Sequence, residues 1–146
     1  MNSNQEWMAY VDLKASGRLK AKRKPPTYTG EAGIQTKVVE WARMEGLFLF
    51  SIPNQGERTM WGSMKEKAMG LLPGACDLFL SMPNGRYHGF YIEMKSPKQK
   101  PRENQVAFME MAKKNGYAVD WFDDADKAIQ SIKEYMGLNN EDKQVL

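Results

Sequence analysis

The chain has 146 residues, is 42% hydrophobic and carries a formal charge of +3, which suits one globular domain with a substantial core. Its single cysteine, Cys76, excludes an intramolecular disulfide and a cysteine-rich zinc site. No apolar run approaches the roughly 20 residues of a membrane span, and the N-terminus lacks the apolar core of a secretory signal, so a reducing, cytoplasmic compartment is expected.

The charge is unevenly placed. Residues 1–30 hold Lys14, Arg18, Lys20, Lys22, Arg23 and Lys24 against Glu6 and Asp12, a local excess of +4, so the rest of the chain sums to −1. Such a basic run either stays solvated or meets phosphate, and Lys20, Lys22, Arg23 and Lys24 are candidates for nucleic-acid contact. Residues 5–15 read as a short helix with Trp7, Tyr10, Val11 and Leu13 on one side, followed by Gly17, the basic run and Pro25-Pro26, which mark a linker. Trp7, Tyr10 and Val11 suit either an interface between copies or burial in the monomer.

From Thr29, an expected N-cap, residues 30–45 read as a helix with Ile34, Val38, Trp41 and Ala42 inward and Gly46 as its stop. Glu31 places a carboxylate at the end of that buried stripe. The continuous apolar run from Leu47 to Ile52 predicts a strand covered on both faces. A polar loop over 53–59, containing Asn54 and Arg58, leads to a short Met-rich helix over 60–69. Strands are predicted over 76–82 and 87–95, joined as an antiparallel hairpin through Asn84-Gly85, with a loop that can exceed two residues. Pro97 and Pro101 precede a helix over 102–115 with Val106, Phe108, Met109 and Ala112 inward, then a strand over 117–122 and a helix over 124–136. A strand reached through the 102–115 helix pairs in parallel by a right-handed crossover. The fold class is therefore α/β, with a mixed central sheet of about four strands flanked by helices and a core order αβββαβ plus a C-terminal helix. The expected organisation is a basic arm and linker over 1–29, the main domain over 30–136 and a polar tail over 137–146.

Strand periodicity sends Tyr91, Glu93 and Lys95 to one face and Phe90, Ile92 and Met94 to the other. The pattern acid-x-Lys occurs three times, at Asp12/Lys14, Glu93/Lys95 and Glu141/Lys143, but only the middle copy ends an apolar strand. Across the hairpin, Asp77 falls opposite the 91–93 region, and two carboxylates that close repel each other unless a cation lies between them. Three acids (Glu31, Asp77, Glu93) and one amine (Lys95), delivered by a helix and two strands, are what a Mg²⁺-dependent phosphodiesterase needs. The bland alternative for Glu93/Lys95 is an exposed ion pair, and for Glu31 a first-turn acid that complements the helix dipole. Lys98, Lys100 and Arg102 sit at the approach to the 102–115 helix, where their charges and the free N–H groups suit a phosphate grip; the bland alternative is a solvated loop. Arg58 and Asn54 are further candidates for backbone contact. Cys76 reads as a small buried hydrophobe and His88, the only histidine, as structural.

The stretches Gly74-Ala75-Cys76-Asp77-Leu78, Ile92-Glu93-Met94-Lys95 and Glu103-Asn104-Gln105 resemble the virus-type replication-repair nuclease family, VRR-NUC, of the PD-(D/E)xK, restriction-endonuclease-like superfamily. Glu31-Ala32-Gly33-Ile34-Gln35 and the loop from Ile52 to Arg58 resemble its opening elements, so the likeness spans about residues 31–122. One departure is Cys76, where the family usually has proline. The resemblance implies that Asp77, Glu93 and the backbone carbonyl of Met94 hold a divalent metal, with Glu31 reaching it directly or through water. It further implies that Lys95 serves the attacking water or the transition state, and that Gln105 positions phosphate or water. Hard oxygen donors favour Mg²⁺, with Mn²⁺ able to substitute. Small stand-alone members resemble Holliday-junction resolvases, which implies a homodimer acting on branched DNA in a bacterial or phage-infected cell. The alternatives are a flap or general duplex nuclease and, from another class, a DNA-binding module without turnover.

Overall fold

The computed structural model describes residues 3–16, 27–53 and 60–138. Its elements in chain order are α1 (Ser3–Ser16), α2 (Gly30–Met44), β1 (Leu49–Ser51), α3 (Met60–Ala68), β2 (Leu78–Leu80), β3 (Phe90–Met94), α4 (Glu103–Lys114), β4 (Ala118–Phe122) and α5 (Ala125–Met136). Lys20, Lys22, Arg23, Lys24, Asn54 and Arg58, and the tail beyond Leu138, lie outside the described residues.

The four strands form one sheet in the order β1-β2-β3-β4. β1 pairs antiparallel with β2, and β2 antiparallel with β3 in the register Leu78↔Ile92, Phe79↔Tyr91 and Leu80↔Phe90. β3 pairs parallel with β4, as the crossover through α4 requires. The core lies on one face of the sheet. There Leu49, Leu78, Leu80, Phe90, Ile92 and Met94 pack against Val38 and Ala42 of α2 and Ala128 and Ile132 of α5. α5 is held at both ends by ordinary cap chemistry: Asp124 accepts from the Lys127 N–H, and Gly137 takes the left-handed conformation at φ 68°. The second face is aromatic. Phe79 stacks on Tyr91 with centroids 4.5 Å apart, and Tyr91 meets Phe108 of α4 and Tyr117 edge-on.

Four local expectations differ. The apolar run after Gly46 is not covered on both faces: only Leu49 of β1 is buried, while Phe50 and Ser51 are exposed, because β1 is the edge of the sheet. β2 and β3 are shorter than predicted. In the connection between them, which is longer than two residues as the sequence allowed, the Asn84 carboxamide accepts from the Arg86 and Tyr87 N–H groups and closes an Asx turn. Val106 points outward on α4, whose buried stripe is Met109 and Ala112 with Phe108 half-buried. Thr29 occupies the N-cap of α2 in extended geometry but makes no side-chain cap hydrogen bond.

The backbone N–H of His88 donates to the Gly116 carbonyl, and its ring packs edge-on against Tyr117. Among the described residues no helix is long and apolar enough to cross a membrane.

Candidate active site

At the end of the sheet where β2 begins and β3 finishes, a cleft of about 370 Å³ opens between α2 and α4. Glu31, Asp77, Lys95 and Gln105 line it, and Lys100 and Arg102 stand at its rim. Asp77 immediately precedes β2. Its carbonyl accepts from the Ile52 N–H, extending the β1 pairing, and its carboxylate accepts from the Met94 N–H at 2.8 Å. That bond ties the carboxylate directly to β3. Lys95 continues the parallel ladder by donating its N–H to the Phe122 carbonyl. Period-two geometry then brings the side chains of Glu93 and Lys95 to the same face, while Met94 packs into the core.

Glu93 has no solvent access at all, and Lys95 is 7% exposed. The Lys95 ammonium lies 2.5 Å from Glu93 Oε1, and the Gln105 carboxamide donates to the same oxygen. Gln105 Oε1 accepts from the Arg102 N–H at 2.9 Å, so one side chain links the first turn of α4 to Glu93. Glu93 Oε2 is buried with no hydrogen-bond partner among the described residues. An orphaned carboxylate oxygen is costly in a protein interior. Burial first, then the neighbouring carboxylates of Asp77 and Glu31, push the Glu93 carboxyl up to about 7, against the opposing pull of Lys95. Burial also raises Asp77 above the ordinary carboxylate range, with the Met94 N–H, Lys95 and a side-chain hydrogen bond with Glu93 acting the other way.

These observations fit a divalent cation. The donors are hard oxygens, one of them is unsatisfied, and two carboxyls are held where ionisation is unfavourable unless positive charge arrives. Among the described residues, however, no three acidic, histidine or cysteine side chains are drawn into a ready-made cage. Glu93 Oε1 is held by Lys95 and Gln105, and the Asp77 carboxylate by the Met94 N–H. Cys76 adds no ligand of its own, since burial and the nearby acids push its thiol up to about 12.

The sheet and its flanking helices are shared with a solved structure described as a VRR_NUC domain protein. That likeness has a TM-score of 0.65 at 26% identity and covers 76% of this chain and 91% of the other. The family model of the VRR-NUC domain matches residues 21–123. The chain belongs to the VRR-NUC family. It therefore carries a nuclease domain of the restriction-endonuclease-like superfamily, whose substrate is DNA and whose members generally use divalent metal ions. No curated protein matches the chain.

Within this VRR-NUC domain the structure brings Glu31, Asp77, Glu93, Lys95, Gln105, Lys100 and Arg102 to one place. Lys98 stands apart: it is exposed, takes a left-handed φ of 68°, and its N–H faces the Asp123 carboxylate at 3.4 Å, so it does not line the cleft. Gln35, Asn104 and Gly74 also line the cleft; the sequence placed them in stretches that resemble the family but gave them no role in the site. Gln35 carried a usable signal, lying four residues after Glu31 on the same helical face. Gly74 carried none. A Cβ there would lie 2.5 Å from the Asn104 carbonyl oxygen and 3.1 Å from the Gln105 nitrogen, a contact that only the tertiary fold creates.

Proposed function

We propose that this VRR-NUC protein is a divalent-metal-dependent DNA endonuclease that hydrolyses phosphodiester bonds in branched, Holliday-junction-like DNA and works as a homodimer. The observation that carries the metal reading is the fully buried Glu93 carboxyl, whose Oε2 has no hydrogen-bond partner among the described residues, beside Asp77 and Lys95. Asp77, Glu93 and the Met94 carbonyl would hold Mg²⁺ or Mn²⁺, with Glu31 closing the site from α2. When bound, the ion supplies charge neutralisation and Lewis acidity at the scissile phosphate.

The protein's own groups do the rest. Lys95, anchored by its ion pair with Glu93, presents a positive charge where the attacking water meets phosphorus and negative charge accumulates on the equatorial oxygens. Gln105 holds Glu93 from one side and the start of α4 from the other, fixing the distance between the metal carboxylate and the phosphate grip. That grip combines Lys100, Arg102 and the free N–H groups of α4. Lys98, Arg58, Asn54 and the basic residues Lys20, Lys22, Arg23 and Lys24 extend the surface available to the DNA backbone. A second copy of the chain supplies the second cut that symmetric resolution of a four-way junction requires. Exposed Met64, Met69, Leu72 and Met111 provide apolar surface for that association.

The test is incubation of the full chain with four-way, flap and linear duplexes in Mg²⁺ or EDTA. Metal-dependent cutting that favours the four-way substrate supports the reading. Equal cutting of every duplex assigns a general nuclease, and binding without cutting assigns a DNA-binding module.

A further inference from the structure

The candidate active cleft is lopsided in charge. Among the described residues its cations, Lys95, Lys100 and Arg102, come from the end of β3 and the approach to α4. The opposite wall, made by α2 and β1, offers Glu31, Gln35, Ser51 and Ile52 and no cation. Two glutamines line the cleft on these two sides, and they differ in what they already hold. Gln105 of α4 is engaged at both ends, donating to Glu93 and accepting from the Arg102 N–H. Gln35 of α2 is half-buried, and among the described residues its carboxamide makes no hydrogen bond, so two donors and an acceptor face the cleft without a task. Ser51, on the same wall, is exposed on the edge strand. Ile52 donates its N–H to the Asp77 carbonyl, so strand alternation turns the Ser51 N–H toward the unpaired edge.

We infer that Gln35 is a substrate-positioning residue: its carboxamide, assisted by Ser51, donates to the backbone phosphate next to the scissile one, on the side of the cleft away from Lys100 and Arg102. A strand crossing the cleft carries a phosphate on each side of the bond to be cut, and only the α4 side is supplied with cations. The α2 side has a reason to use a neutral donor. A lysine or arginine at position 35 would stand one turn after Glu31, in the i,i+4 arrangement that favours an ion pair, and would draw that carboxylate away from a metal ion. A carboxamide meets phosphate oxygen without that competition. This rests on the nuclease reading of the cleft and adds to it the group that holds the strand on its second side.

The experiment titrates the full chain, in EDTA, against a labelled four-way DNA junction by fluorescence anisotropy at several salt concentrations. Gln35→Ala is expected to weaken binding about fivefold, the scale of one neutral hydrogen bond, with the slope of log affinity against log salt unchanged, because an amide releases no counterion. In Mg²⁺ its KM rises by a similar factor while kcat stays within about twofold, the pattern of a lost contact made equally in ground and transition states. Thermal melts verify folding, and Ser51→Ala, on the exposed edge, carries the same test with a loss of about threefold if Gln35→Ala melts early. Gln35→Lys probes the need for a neutral group: affinity in EDTA holds at or above the wild-type level, while cleavage at saturating DNA falls at least about tenfold. Unchanged affinity and KM in Gln35→Ala, or a loss confined to kcat, overturns the inference, and so does wild-type cleavage by Gln35→Lys. Cutting by the wild-type chain in Mg²⁺ is scored separately: its absence defeats the nuclease reading, whereas its presence with Gln35→Ala affinity intact defeats only this inference.

Discussion

Glu93 is closed off from solvent, and its Oε2 has no partner among the described residues. Burial pushes its carboxyl from the ordinary 4.5 up to about 7, so between those values the folded chain holds more protons than the unfolded one. Metal-free protein consequently loses stability through this group as pH rises from about 4.5 to 7, with Asp77 acting in the same direction. Mg²⁺ requires the ionised carboxylate, so its stabilising effect grows over the same window. Thermal melts from pH 5 to 8 test this. In EDTA the Tm of the wild type is expected to fall more steeply with pH than that of Glu93→Gln, and only the wild type gains stability from Mg²⁺; parallel curves would refute it. For Lys95→Ala, metal and DNA binding persist while turnover falls by at least about 100-fold, the scale of losing one electrostatic stabiliser. Unfolding of that variant would assign the lysine to structure instead.

At this scale much of the candidate site was legible. Glu93, Lys95 and Asp77 could be placed because strand periodicity and hairpin pairing are simple rules, and Glu31 because it ends the stripe that contains Val38 and Ala42. Lys98 lies outside the cleft lining, exposed on a left-handed backbone, because proximity in sequence to Lys95 does not fix direction.

Among the elements, α4 holds the site together, because Gln105 in its first turn joins Glu93 to Arg102. The turn before β2 presses on that same point. Gly74 sits at φ 88° with Asn104 backbone 2.5 Å from where a Cβ would be, so it registers the approach to Asp77 against α4. Gly74→Ala is expected to destabilise by about 1–3 kcal/mol in urea unfolding and to lower turnover as Gln105 is displaced. Wild-type stability and rate in that variant would show that the contact is slack. The parallel pairing of β3 with β4 was readable from the length and periodicity of the intervening helix. The edge position of β1 was not, because a run such as Leu47–Ile52 is equally apolar whether one face or two are covered, and the sheet order decides which. Val106 shows the same limit on a helix: periodicity locates a stripe but not its width, and the stripe of α4 narrows to Met109 and Ala112 where it meets the aromatic face.

The whole molecule is asymmetric in charge and in surface chemistry. The positive excess belongs to residues 1–30, while the domain that follows is close to neutral. DNA affinity is therefore expected to fall steeply with salt, and Lys100→Ala to reduce the slope of log affinity against log salt by about 1. Titrations at several salt concentrations measure this, and an unchanged slope removes Lys100 from phosphate contact. The family could be recognised in the sequence because its motifs lie in short contiguous stretches around Asp77, Glu93 and Gln105.

The account depends most on the pairing of Asp77 and Glu93 as ion-holding carboxylates. Its most direct test is cleavage of branched DNA in Mg²⁺ by the wild type, Asp77→Ala and Glu93→Gln, each verified as folded, with an EDTA control. Cutting by the wild type that disappears in EDTA and in both variants is predicted. Cutting that persists in either folded variant would contradict it.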